Sequence, residues 1–334
     1  MALGLNFGTG ADNDGETLFS AFTKINTILS TTTKLSNGDL QLNGVTIGKG
    51  NNSISSNLIV GENAGNAITT GYQNLFIGGN AGKSTTTGIA NLNIGIGAGE
   101  FNISGIYNSF IGVNAGRYSS GGYNTFLGQA SGENSGSGNS NTFIGHAAGQ
   151  VSTSGENTFV GRSAGILNTS GHHNTFIGIE AGQNVVANYN ATAIGWDSRP
   201  NANDSVTLGN GSINLLRCAA TVISGLSDAR DKTDIVEITE GLEFVDKLKP
   251  ITFTWNQRDG YKVGVKSAGF IAQDLLELQN ESAIGENLDL VSEIDPERLE
   301  ARYSNLLPVL VKAIQELSLE VKSLKSEIEL LKAI

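Results

Sequence analysis

Short apolar runs framed by Asn and Gly recur along the middle of the chain. Asn141-Thr-Phe-Ile-Gly145 is repeated unchanged from Asn174 to Gly178, and near copies begin at Asn57, Asn74, Asn91, Asn108, Asn124 and Asn157. Ala191-Thr-Ala-Ile-Gly195 continues the series. Successive starts lie 17, 17, 17, 16, 17, 16, 17 and 17 residues apart. A period this short marks a stacked repeat: one strand cannot bury its apolar face alone, and neighbouring coils complete the core. Thr, Phe and Ile suit a pleated strand. The closing Gly, and an Ala-Gly pair such as Ala81-Gly82 or Ala148-Gly149 three and four residues later, supply turns. Each unit predicts one coil of a β-solenoid or β-roll. The leading Asn is either a turn residue or a rung in a ladder running from coil to coil. Calcium-binding solenoids need Asp in each turn; here those positions hold Ala, Asn or Ser.

Other periods flank the repeats. Leu18, Phe22, Ile25 and Leu29 are spaced by 4, 3 and 4 and predict a short helix over Thr17–Leu29. Leu40, Leu42, Val45 and Ile47 predict a strand pair over 39–48. Residues 1–48 read as an N-terminal arm and attachment segment, and 49–226 as the solenoid. At its end Ser205-Val-Thr-Leu-Gly209 follows the Ala191 unit after only 14 residues. Beyond Leu226 the pattern changes. A helix is predicted over 240–248, a strand over 251–256 after Pro250, and a helix leading from 268–274 into Leu275 and Leu276. A long helix runs over 305–334, with Pro308 in its first turn. Its apolar residues Leu307, Leu310, Ile314, Leu317, Val321, Leu324, Ile328 and Leu331 alternate spacings of 3 and 4, the seam of a coiled coil. Glu320–Lys325 and Glu327–Lys332 suit parallel chains, and β-branched a residues with Leu at d favour two strands.

Charge sharpens the boundary. Residues 57–226 hold 12 charged side chains and residues 227–334 hold 34. So few charges over the repeats imply that much of each coil faces another chain. A net charge of −11 and a pI near 4.8 argue against a nucleic-acid partner. The single cysteine, Cys218, excludes an internal disulfide framework. No apolar run is long enough to insert in a membrane, and the N-terminus lacks a basic-then-apolar leader, so synthesis in a cytoplasm is expected. No cofactor or metal is expected. His146, His172 and His173 all lie in the repeats, as surface or lumen residues rather than members of a triad. Glu62, Glu100, Glu133, Glu156, Glu180, Asp197 and Asp204 occur once per coil or less, whereas glycoside hydrolysis needs two facing carboxylates. Tyr107, Tyr118, Tyr123, Tyr189 and Trp196 are sugar-stacking candidates if exposed, and packing residues otherwise.

Three resemblances follow from particular residues. Gly4-Leu-Asn-Phe-Gly-Thr-Gly10, with Phe19 to Asn26, resembles N-terminal segments of bacteriophage tail proteins. The units at Ala191 and Ser205 are similar to the head repeats of trimeric autotransporter adhesins, which implies three chains in a β-roll. Ser227-Asp228-x-Arg230-x-Lys232, Leu248-Lys249-Pro250 with Phe253 and Trp255, Gly269-Phe-Ile-Ala-Gln273, and Tyr303 to Leu317 resemble the Peptidase S74 intramolecular chaperone domain of phage tail fibres, tailspikes and neck appendages. Together they imply a mainly β, trimeric fibre with an α+β chaperone domain over 227–334, ending in a parallel trimeric coiled coil. They also imply a homotrimer in the virion, joined to tail or baseplate proteins through its N-terminal arm and meeting a host-surface glycan or protein. The chaperone resemblance implies self-cleavage beside Ser227, at the Ser227–Asp228 junction, with Ser227 as nucleophile, Lys232 as general base and Arg230 in support. The chemistry is consistent: a serine needs a base, and lysine serves as one only when burial or neighbouring cations lower its pKa. Attack by Ser227 on its own carbonyl would close a four-membered ring, so attack on the Leu226 carbonyl or on another chain is easier. The alternatives are a polysaccharide-degrading tailspike and a bacterial trimeric surface adhesin.

Overall fold

The structure is a computed structural model that describes residues 32–34, 39–42, 45–50, 54, 56–213, 215–217 and 225–333. The helix expected over 17–29, the tail-like N-terminal segment and Cys218 lie outside these residues. The chain divides into two compact units, 1–210 and 211–334.

The first unit is a β-solenoid. Its strands are β1 (Thr32–Lys34), β2 (Leu40–Leu42), β3 (Val45–Gly48), β4 (Leu58–Gly61), β5 (Leu75–Ile77), β6 (Leu92–Ile94), β7 (Ser109–Ile111), β8 (Thr125–Leu127), β9 (Thr142–Ile144), β10 (Thr158–Val160), β11 (Thr175–Ile177), β12 (Thr192–Ile194) and β13 (Val206–Leu208). They form one sheet in sequence order. The first four strands pair antiparallel, which confirms the strand pair at 40–48 and adds β1 in front. From β4 onward every coil pairs parallel and in register, so that Phe110 meets Phe126 and Phe126 meets Phe143.

Register places like on like. From β5 to β12 the middle residue of each strand is buried, and Phe110, Phe126, Phe143, Phe159 and Phe176 stack with centroids 4.8–5.0 Å apart. That spacing is the strand-to-strand distance of a sheet. The leading asparagines are a buried ladder rather than simple turn residues. Asn124 Nα–H donates to Asn108 Oδ1 at 3.0 Å, Asn141 to Asn124 at 2.9 Å, and Asn157 to Asn141 at 3.0 Å. Each amide group also closes its own coil: Asn74 Nδ2 donates to the Gly88 carbonyl at 2.9 Å. The 16-residue coils lose their residue near this closure, since Asn108 Nδ2 reaches Gly121, 13 residues on rather than 14. The ladder therefore stays in step.

Two glycine positions explain themselves. At Gly82, with φ +55°, a Cβ would lie 2.5 Å from the Phe76 ring. At Gly78, with φ +132°, it would lie 2.6 Å from the Gly95 carbonyl oxygen of the next coil. Neither place admits a side chain.

The second unit mixes helix and strand. It contains α1 (Leu242–Lys247), the antiparallel hairpin of β14 (Ile251–Asn256) and β15 (Val263–Gly269), α2 (Ala272–Glu281), α3 (Gly285–Leu288), a short pair of β16 (Val291–Ser292) and β17 (Glu300–Ala301), and α4 (Leu307–Lys332). Its core joins Phe244, Leu275, Leu278, Leu290, Leu306 and Val309. Glu316 Oε2 accepts from the Leu242 amide at 2.7 Å and ties α1 to α4. Val309 of α4 enters this core, and Ala313 one turn further on is also buried. The heptad residues from Leu307 to Leu331 all remain exposed.

Candidate functional site

The segment that carries the predicted chemistry opens the charged C-terminal region of the chain. Asp228 precedes a single turn of 3-10 helix, Ala229–Asp231, and caps it by accepting from the Arg230 amide at 2.9 Å. That turn reverses the chain enough for Lys232 to reach back. Lys232 Nζ donates to Ser227 Oγ at 2.6 Å and lies 3.5 Å from the Ser227 carbonyl oxygen. The predicted nucleophile and base therefore meet, and the same ammonium sits beside the carbonyl of the Ser227–Asp228 bond.

Arg230 points elsewhere. Its guanidinium forks onto Asp228, with Nε 3.0 Å from Oδ1 and an Nη2 bond of 2.6 Å to Oδ2. This pairing holds the Asp228 carboxyl below its ordinary value and raises the Arg230 guanidinium further. The fork serves the turn that presents Lys232, and Arg230 touches neither Ser227 nor its carbonyl.

All four side chains are exposed in the single chain, and Leu226 is fully exposed beside them. Lys232 and Leu226 border an open groove of about 910 Å³ whose other walls include Ile235, Ile284, Leu288 and Pro308.

In the solenoid most of the candidate carboxylates have partners. Glu100 pairs with Arg117 at 2.8 Å, Asp197 with Arg199 at 2.8 Å, Glu180 with Arg162 at 2.5 Å, and Glu156 with His173. Glu133 accepts from Gln150 at 2.9 Å. His146, His172 and His173 are surface residues. Among the described residues no group of three or more His, Cys, Asp or Glu is placed to hold a metal ion, and no helix is long and apolar enough to cross a membrane.

The sequence reading had no signal for two features. Asn93 stands where other coils place Phe, fully buried, with both amide atoms unpartnered. β15 also escaped it, because its residues alternate too little to mark a strand, yet it pairs along β14 from Gly269 to Val263.

No curated protein and no solved structure matches this chain. One family does. Residues 227–284, which hold the Ser227–Lys232 contact, the hairpin and α2, match Peptidase S74, the chaperone of endosialidase, while α4 lies beyond the matched segment.

Proposed function

We propose that this chain is the subunit of a trimeric phage fibre whose C-terminal domain aligns three chains and then cuts itself away. One observation carries the assembly. All twenty outward positions of β4–β13, from Leu58 and Val60 to Val206 and Leu208, are uncharged, and one of the two rows is entirely Val, Ile and Leu. A solvated sheet face alternates apolar inside with polar outside; an aliphatic outer row seeks a second surface. A copy of the same solenoid offers that surface at the same coil spacing. The exposed α4 seam has the same need, and the chaperone match supplies the reason for three chains. β-branched core residues favour two, but core preference is one bias against a whole solenoid face.

Self-processing follows from the dyad once it is covered. Burial against neighbouring chains would remove water from Lys232 and let Nζ accept the Ser227 hydroxyl proton. Oγ then has two routes. Attack on the Leu226 carbonyl carbon forms a C–O bond through a five-membered ring and breaks the C–N bond to Ser227. Water then hydrolyses the ester, leaving Leu226 with a carboxylate. Attack on the Ser227–Asp228 carbonyl comes from the Ser227 of another chain, and water releases that acyl-enzyme. The fragments differ: the released domain begins at Ser227 in the first case and at Asp228 in the second. The N-terminal arm would attach to the tail or baseplate, and the solenoid would meet the host surface as part of the virion.

The test is a denaturing gel of wild type and Ser227→Ala, with and without boiling, followed by N-terminal sequencing of any released piece. A released fragment in wild type alone supports the proposal. Full-length protein in both, running as a monomer without boiling, refutes both the processing and the assembly.

A further inference from the structure

Exposed aromatic side chains occur in several coils of the solenoid away from the strand face, among them Tyr72, Trp196 and a stack of His172 on Tyr189, and the coils begun by Asn91 and Asn108 carry two such stacks together. Phe101 and Tyr118 occupy equivalent places in these two coils and stack with centroids 4.9 Å apart and planes within 5°. Tyr107 and Tyr123 do the same at the corner before the next asparagine, 5.3 Å apart. All four rings are exposed, Tyr107 by 54% and Tyr123 by 58%. Arg117 lies 5.7 Å from the Phe101 ring and 5.2 Å from the Tyr118 ring, anchored through Nε on Glu100. Its terminal nitrogens have no protein partner among the described residues.

The neighbours of each stack are small or polar. Ala90 stands one coil before Tyr107 and Ser140 one coil after Tyr123, all four with φ between 56° and 61°. Ser84 precedes Phe101, and Asn134 follows Tyr118. Each stack therefore ends in an uncovered aromatic face with a notch one coil deep beside it. A coil rise of about 4.8 Å matches the thickness of one saturated six-membered ring. A buried core residue has no use for such a step, and a half-exposed aromatic pair on an otherwise largely polar stretch of surface is costly to leave in water.

We infer that the Phe101–Tyr118 and Tyr107–Tyr123 stacks form a binding site for a pyranose oligosaccharide. Sugar rings lie against the open aromatic faces through their C–H groups, and the Arg117 terminal N–H groups donate to ring hydroxyls. The Ala90 and Ser84 notches seat the sugar rings that continue each stack. The inference deepens the attachment part of the proposed function and depends on it only for where the glycan comes from. Neither the dyad nor α4 takes part in the site.

The test uses full-length protein on an array of purified bacterial O-antigen and capsular polysaccharides, neutral and acidic. Tyr107→Ala/Tyr123→Ala and Phe101→Ala/Tyr118→Ala remove the platforms. Ala90→Tyr fills a notch without removing a ring, at a backbone position where Tyr107 shows that tyrosine fits. Tyr107→Phe/Tyr123→Phe keeps the rings. The expected result is a polysaccharide retained by wild type and by the Phe pair, weakened about tenfold or more by each Ala pair and by Ala90→Tyr, at unchanged melting temperature. Binding that survives all three changes overturns the site, as does retention of none of the polysaccharides. A drop in oligomeric state on losing the rings also overturns it, since the patch would then be a contact between chains. The gel pattern of the same samples reports trimer and cleavage separately, so a failed site leaves the fibre reading standing or falling by its own result.

Discussion

Replacing Asn93 by phenylalanine should stabilise the solenoid. Asn93 pairs in register with Phe76 below and Phe110 above, and it divides the aromatic core into two clusters, one of Ile59 to Ala81 and one of Ala98 to Ala193. The space for a ring exists, because Gly99 faces Asn93 at φ +57° as Gly82 faces Phe76 at φ +55°. A ring there would stack on both neighbours, at about 0.5–1.5 kcal/mol each. Burying the larger side chain adds about 1.5–3 kcal/mol. Removing two buried, unpartnered amide atoms returns about 1–3 kcal/mol, and imperfect fit takes back about 1–3 kcal/mol. The net expectation is about 4 kcal/mol per chain, the centre of these ranges. In a guanidinium melt of the full chain, the midpoint should rise with an unchanged slope. Hydrogen exchange should show amides of 58–92 opening separately from those after 108 in wild type, and together with them in Asn93→Phe. A midpoint that stays or falls would refute the reasoning. It would mean that Asn93 holds an ordered water worth as much as the missing ring.

Other expectations follow from the same geometry. Gly82→Ala should destabilise by more than about 1 kcal/mol, because its Cβ meets the Phe76 ring at positive φ; a lowered melting temperature checks it. Asn141→Ala removes a buried rung that accepts from Asn157 and should cost about 1–3 kcal/mol, read from the denaturation midpoint. Ile314→Asp with Leu317→Asp should abolish assembly through α4 and stop release of the C-terminal piece, while the unit's own core, which uses Val309 and Ala313, keeps its circular dichroism. The Arg230 pairing depresses the Asp228 carboxyl, so its contribution to the turn is complete above about pH 4 and disappears as pH falls through the lowered value. Carbon-detected NMR of Asp228 should show a titration midpoint below that of an ordinary aspartate, and Arg230→Ala should return it to the ordinary range.

Much of this molecule was legible because its physics is local and repeated. A 17-residue period with Phe between Thr and Ile can be satisfied only by stacking, and the strands fall on those triplets. The α4 seam was equally plain, since eight apolar residues at alternating spacings leave no other face to present. What stayed hidden depends on contacts between coils. Whether Asn is a turn residue or a rung turns on what lies one coil away, and only the register shows Asn108 receiving Asn124. The vacancy at Asn93 is visible as a letter but acquires meaning only beside Phe76 and Phe110. β15 reads as loop because its outward residues are exposed on both sides of the ribbon, and pairing with β14 alone defines it. Ser227 and Lys232 are five residues apart, a common spacing; the 3-10 turn capped by Asp228 is what brings them to 2.6 Å.

The repeat that makes the solenoid easy to read would also make the proposed fibre easy to misassemble. Three solenoids displaced by one coil would still match nine of their ten strands, each against a nearly identical neighbour, so the sheet face discriminates weakly between registers. The α4 seam discriminates better. Its eight residues span four heptads, and a slip of one heptad forfeits a quarter of the contact rather than a tenth. It also moves Leu307 and Leu310 out of the seam and leaves charged partners such as Glu320 and Lys325 facing the wrong heptad. In the proposed trimer a device of this kind would be needed while the chains pair, because that pairing is non-local and slow. Once the coils are joined it contributes little more than a route back to separate chains. Cutting beside Ser227 would close that route, since the solenoids could no longer unzip from an end held in a reversible coiled coil. The processed fibre should then unfold far more slowly than uncut Ser227→Ala at equal temperature, although the two have the same coils. Equal unfolding rates in detergent would show that the register is kept by the solenoid itself and that the cut serves some other end.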